Sequence, residues 1–148
     1  MEKLEEVIET CLKQFNFSVP IRFEVKKTSC NGTHNSIVSK KYSRITIHPK
    51  LSHPKPTIYH EIGHHIYIFE LTSIEKQVWD ELYAEGIKYS KHGDDWKFYF
   101  VSKPAMNHEH EDFACTFSAW HYERDAISPK KRGFVSNVVG RLKQCAAD

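Results

Sequence analysis

Apolar positions recur along the chain in two different periods. From residue 2 to 16, Leu4, Val7, Ile8, Cys11, Leu12 and Phe15 fall three and four apart, which predicts an amphipathic helix. After Pro20 the period drops to two. Ile21, Phe23 and Val25 alternate with Arg22, Glu24 and Lys26, which predicts a half-buried strand. Asn31-Gly32 signals a turn. Residues 36–40 and 43–48 read as two further short strands, either of which is a candidate for the sheet edge. The helical period then returns at Ile58, Ile62, Ile66 and Phe69, predicting a helix over about 57–70. Pro56 suits its first turn, and Thr57 or Ser52 is a possible cap.

Thr72-Ser73 predicts the cap of another helix near 74–90, with Val78, Leu82 and Ile87 facing inward. His92 to Asp95 form a loop, and the aromatic run Trp96–Val101 reads as a strand or an irregular lid. Phe113, Ala114, Phe117 and Trp120 predict a helix over about 108–124. Val135, Val138, Val139 and Leu142 predict the last one. A helix, three strands and then mainly helices make an α+β fold, expected as one domain over 1–148 with a small, mostly antiparallel sheet.

Composition narrows the class without naming a function. Hydrophobic residues make up 40 % of 148 positions, enough for one folded domain with a core. A net charge of +2 is too small to imply nucleic acid. Lys130, Lys131 and Arg132 read as a solvated turn. The acidic, amphipathic N-terminus resembles no export signal, and no apolar run reaches membrane-spanning length. The expectation is a cytoplasmic monomer with neither a nucleic-acid nor a membrane partner. Cys11, Cys30, Cys115 and Cys145 form no CxxC pair and are expected as reduced thiols. Cys11, Cys115 and Cys145 fall on helical stripes as small core residues.

Chemistry is concentrated in His60-Glu61-Ile62-Gly63-His64. Residues four apart share a helix face, so His60 and His64 can aim two imidazoles at one metal ion. Glu61 then stands within reach of a metal-bound water. Two nitrogen ligands, a general base and an open position suit a zinc hydrolase. Gly63 costs about 1 kcal/mol in a helix interior, and close approach of another backbone is a reason to keep it. His65 is turned about 100° away and is not expected as a ligand. His34, His48, His53 and His92 read as surface residues.

A third protein ligand is expected. Tyr67, Ile68 and Glu70 occupy the positions where a further histidine would follow His64, so a carboxylate on a later helix is the remaining scheme. Glu109 and Glu111 are the candidates. Glu111 continues the face of Ala114 and Phe117 and is preferred; Glu109 stays open. Asp112 reads as an exposed acid of the first turn, with orientation of a ligand histidine as its other possible role.

HEIGHH followed by FVSKPAMNHEHEDFACTFSAWHY resembles the gluzincin metallopeptidases, in the branch typified by the catalytic domain of anthrax lethal factor. Glu111, Phe113, Ala114 and Phe117 match its E-x-F-A-E-x-F pattern over roughly residues 57–122. The resemblance implies a zincin-like fold and one Zn2+ per chain held by His60, His64 and Glu111. It also implies Glu61 as catalytic base and a peptide or protein as substrate. Two positions depart from the pattern. Cys115 stands where an acid is usual. Pro104 stands where a tyrosine would steady the oxyanion, a contribution worth a few kcal/mol. Tyr99, His108, His110 and Tyr122 are candidate replacements.

Overall fold

The computed structural model describes residues 3–37 and 41–146, with side chains to residue 143. Its order is α1 (Leu4–Leu12), β1 (Ile21–Val25), β2 (Gly32–Ile37), β3 (Tyr42–Ile47), α2 (Pro54–His65), α3 (Ser73–Lys91), α4 (Glu109–Tyr122) and α5 (Pro129–Ala146). The fold is α+β, as the periods predict. The predicted strand at 36–40 begins earlier, at Gly32, and its positions 38–40 lie outside the described residues.

The mostly antiparallel sheet needs correcting. The strand order is β1-β3-β2, a mixed sheet. β3 pairs antiparallel with β2, Gly32 opposite Ile47, and parallel with β1, Ile21 opposite Ser43. All of β3 except Arg44 is buried, including the polar Ser43 and Thr46, as befits a strand flanked on both sides. Of the two candidate edges, the segment at 43–48 is therefore excluded; the strand beginning at Gly32 forms one edge and β1 the other.

α2 starts at Pro54, three residues before the predicted position. Neither Thr57 nor Ser52 caps it; His53 precedes it without a side-chain bond, and Pro54 supplies the first helical φ. Ile58, Ile62 and Ile66 are fully buried. At Ile66–Glu70 the helix widens into a π turn, closed by a bond from the Leu71 N–H to the Ile66 carbonyl. Thr72 caps α3 in a reciprocal box with Glu75. On α3 the inward residue is Trp79, fully buried, whereas Val78 is exposed. Trp96–Phe98 is a short 3-10 turn, which settles that stretch as irregular rather than a strand.

The core lies where α1, α2, α4 and α5 meet the sheet, around Ile8, Ile45, Ile58, Phe113, Phe117 and Val135. The basic run is helical rather than a turn, and only Lys130 and Arg132 of it reach solvent. It opens α5, and Lys131 is buried with its Nζ 2.7 Å from Asp112 Oδ2, donating also to the Tyr99 carbonyl at 2.8 Å. Asp112 is accordingly fully buried rather than exposed, and it pairs with Lys131 instead of a histidine. Burial raises the Asp112 carboxyl to about 6, with Lys131 opposing that rise. Among the described residues no helix is long and apolar enough to cross a membrane.

Candidate metal centre

Gly63 sets the spacing of the site. A Cβ there would lie 2.8 Å from the Ala114 Cα and 3.2 Å from the Phe117 Cβ, so only glycine lets α2 and α4 pack backbone to backbone. Their closeness carries Glu111, three residues before Ala114, directly over the two histidines. His60 Nε2 lies 3.1 Å from Glu111 Oε1, and His64 Nε2 lies 3.2 Å from Oε2. Glu109 is placed elsewhere: its side chain pairs with His108 at 3.0 Å and its carbonyl accepts the Trp79 indole N–H. The structure thus brings together His60, His64 and Glu111 and leaves Glu109 out.

A second glycine admits the sheet. A Cβ on Gly32 would stand 2.8 Å from Thr57 Cγ2 and 3.3 Å from Glu61 Cγ. The start of β2 can therefore press against α2, and residues 32–36 form one wall of a cleft floored by His60, Glu61, His64 and Glu111. Glu61 is buried, and burial raises its carboxyl above the ordinary value, although His60 and His64 pull the other way. Hydrogen bonds to His60 and then His64 hold the Glu111 carboxyl well below the usual carboxylate range. Burial would depress His60, but bonds to Cys115 and Glu111 outweigh it and push the imidazole up to about 10.

Cys115, which the residue pattern assigned to the core, enters the cluster, and so does His110, a candidate oxyanion donor. Cys115 is half-buried on the cleft wall rather than in the core, with Sγ 3.7 Å from Glu111 Oε1. His60, Glu111 and Cys115 each place a donor atom within 4.8 Å of the others, and so do His64, His110 and Glu111. The donors fit a metal. Two ligand atoms bound to one tetrahedral zinc at about 2.0–2.1 Å stand about 3.3 Å apart, close to both imidazole–carboxylate separations. Cys11 is buried in the core as expected, Cys30 is exposed, and the Cys145 side chain lies outside the described residues.

His34 also proves to be a cleft residue rather than a surface one. It lies on β2, with its ring centroid 5.8 Å from that of His64. Its Nε2 meets Ser43 Oγ at 2.7 Å, and Ser43 Oγ meets His65 Nδ1 at 2.6 Å. His65 Nε2 then donates to Glu70 Oε2 at 3.0 Å. Glu70 further accepts from the Ser18 N–H and hydroxyl and from the Val19 N–H. Burial would raise the Glu70 carboxyl, but these bonds, His65 first, hold it below its ordinary value. His65 is fully buried and faces away from the cleft, as its position in the helix requires. The π turn brings Glu70 within reach of it. No sequence signal marks His34, because Thr33-His34-Asn35-Ser36 carries no apolar alternation.

The four candidate replacements for the missing tyrosine divide two and two. Tyr122 lines the cleft beside His60 and Glu61, and His110 lines it beside His64. Tyr99 is tied to Asp94 at 2.7 Å, and His108 caps α4 through the His110 N–H. His48, His53 and His92 lie outside the cleft. No family model, curated protein or solved structure matches this chain.

Proposed function

We propose that this protein is a zinc metallopeptidase of the gluzincin type on a zincin-like fold. The observation that carries the reading is the Glu111 carboxylate spanning the two imidazoles of the HExxH helix, one oxygen to each. His60, His64 and Glu111 would hold one zinc ion per chain. Zinc bound there supplies a Lewis acid that brings the pKa of a coordinated water toward 7. Glu61, buried beside His60 and raised by that burial, is suited to take a proton from the water and return it to the leaving amine. β2 is an edge strand along the same cleft, so an extended peptide can pair with its free backbone edge by β-augmentation.

Pro104 opens a short 3-10 turn and offers no donor. It favours a second reading, a zinc-binding protein of the same fold with weak turnover or none. Glu61→Gln separates the two. Zinc content stays unchanged in both readings. The peptidase reading predicts that cleavage of a quenched-fluorescent peptide library falls by about 10²–10⁴-fold in the variant. Cleavage that persists at the parent rate, or a parent protein that holds zinc and cleaves nothing, contradicts it.

A further inference from the structure

Cys115 belongs to the donor set, and its chemistry reaches beyond a peptidase with an open coordination position. It lies one helical turn after Glu111 on α4, so both side chains project from the same face. Its sulfur is 3.7 Å from Glu111 Oε1, and His60 Nε2 is 3.1 Å from that same oxygen. A thiolate at about 2.3 Å and a carboxylate oxygen at about 2.0 Å from one tetrahedral zinc stand about 3.5 Å apart. Sulfur, the His60 imidazole and the Glu111 carboxylate thus place their donor atoms within 4.8 Å of one another. Cys115 also lines the cleft that contains His60 and Glu61.

Resting on the zinc reading above, we propose that Cys115 is a protein ligand, which shares one ion with His60 and Glu111 and, with His64 turning in from the other Glu111 oxygen, closes a coordination sphere of four. Ligation breaks the S–H bond, forms a sulfur–metal bond and releases one proton to solvent, with no electron transferred. Sites with four protein ligands are structural, whereas catalytic sites keep a position for water. The four-ligand form is thus latent, and hydrolysis requires the thiolate to leave. A thiolate also adds affinity for zinc and other thiophilic divalent ions over hard ones such as magnesium.

Cobalt(II) added to metal-free protein tests this directly. The parent is expected to take up one equivalent and show both visible ligand-field bands and a near-ultraviolet thiolate-to-cobalt charge-transfer band. Cys115→Ser is expected to keep the visible bands, lose the charge-transfer band and bind cobalt at least tenfold more weakly. The position it frees should also raise peptide hydrolysis by the zinc-loaded variant above that of the parent. Visible bands without a charge-transfer band in the parent, or a charge-transfer band that survives in Cys115→Ser, would overturn the proposal while leaving the metal site standing. No cobalt uptake by the parent at all would remove the metal reading and this inference with it.

Discussion

The two sides of α2 carry clusters of nearly the same composition and opposite character. On the cleft side His60, His64 and Glu111 bond to one another and to Cys115 among the described residues, and their side chains are 12–27 % exposed. On the inner side His65, Ser43 and Glu70 are buried, and both Glu70 oxygens accept two bonds each from Ser18, Val19 and His65. A histidine–carboxylate contact therefore says little by itself. What separates a binding site from a structural brace is whether the remaining lone pairs are already spent. The inner cluster has no capacity left, whereas the outer one presents two sets of donors that share Glu111, one with His60 and Cys115 and one with His64 and His110. Imidazole nitrogens and a carboxylate are ligands that a divalent cation such as zinc takes.

The sharpest way to break that contrast is to remove one carboxylate from each side. Glu70→Ala strands the Ser18 and Val19 amides and the His65 Nε2–H in the interior. It should cost about 3–5 kcal/mol, a fall of roughly 10–20 °C in Tm by calorimetry. Glu111→Ala on metal-free protein should cost less, about 1–2 kcal/mol, because the Glu111 side chain keeps 27 % exposure against 3 % for Glu70, yet abolish zinc uptake. Equal stability losses from the two would erase the distinction.

A smaller effect is expected where the two helices touch. Gly63→Ala pushes a methyl against the Ala114 backbone and should destabilise by about 1–3 kcal/mol. Because the same contact sets Glu111 over the histidines, zinc affinity should fall with it. Titration calorimetry showing parent affinity in a destabilised variant would separate packing from the site.

That close approach was legible in the sequence, since a glycine between two histidines of a helix has few other uses. So were α2, α4 and the helix face that sets Glu111 rather than Glu109 against the two histidines, all of which rest on local periodicity. The parallel β1–β3 pairing was not. Three consecutive strands suggest hairpins, and Ser43 and Thr46 disguised β3 as half-exposed when it is the buried centre of the sheet. His34, Cys115 and Lys131 were misplaced for a related reason. Each acquires its role from a partner far along the chain: His64, His60 and Asp112 respectively. Spacing within one element carries no trace of such a partner.

The smallest expected effect concerns acid. His121 stacks on Tyr59 at 3.7 Å, bonds the Phe117 carbonyl through Nδ1 and leaves Nε2 buried without a partner. Burial lowers it to about 4. Between that value and its unfolded value near 6.5 the unfolded chain binds the extra proton. Its contribution to stability is therefore full above pH 6.5 and is lost as pH falls toward 4. His121→Phe should remove up to about 2 kcal/mol of acid sensitivity over that window, read from urea midpoints of the metal-free protein at pH 7 and pH 4.5. An unchanged difference between the two midpoints would mean that His121 is not the group responsible.

The central claim is that the outer cluster binds a metal and the inner one does not. Zinc content by plasma mass spectrometry, measured on metal-free protein reloaded with one equivalent and dialysed, tests it most directly. The account predicts about one zinc per chain in the parent, none in His64→Ala and about one in Ser43→Ala. No zinc in the parent, or an undiminished zinc content in His64→Ala, would contradict it.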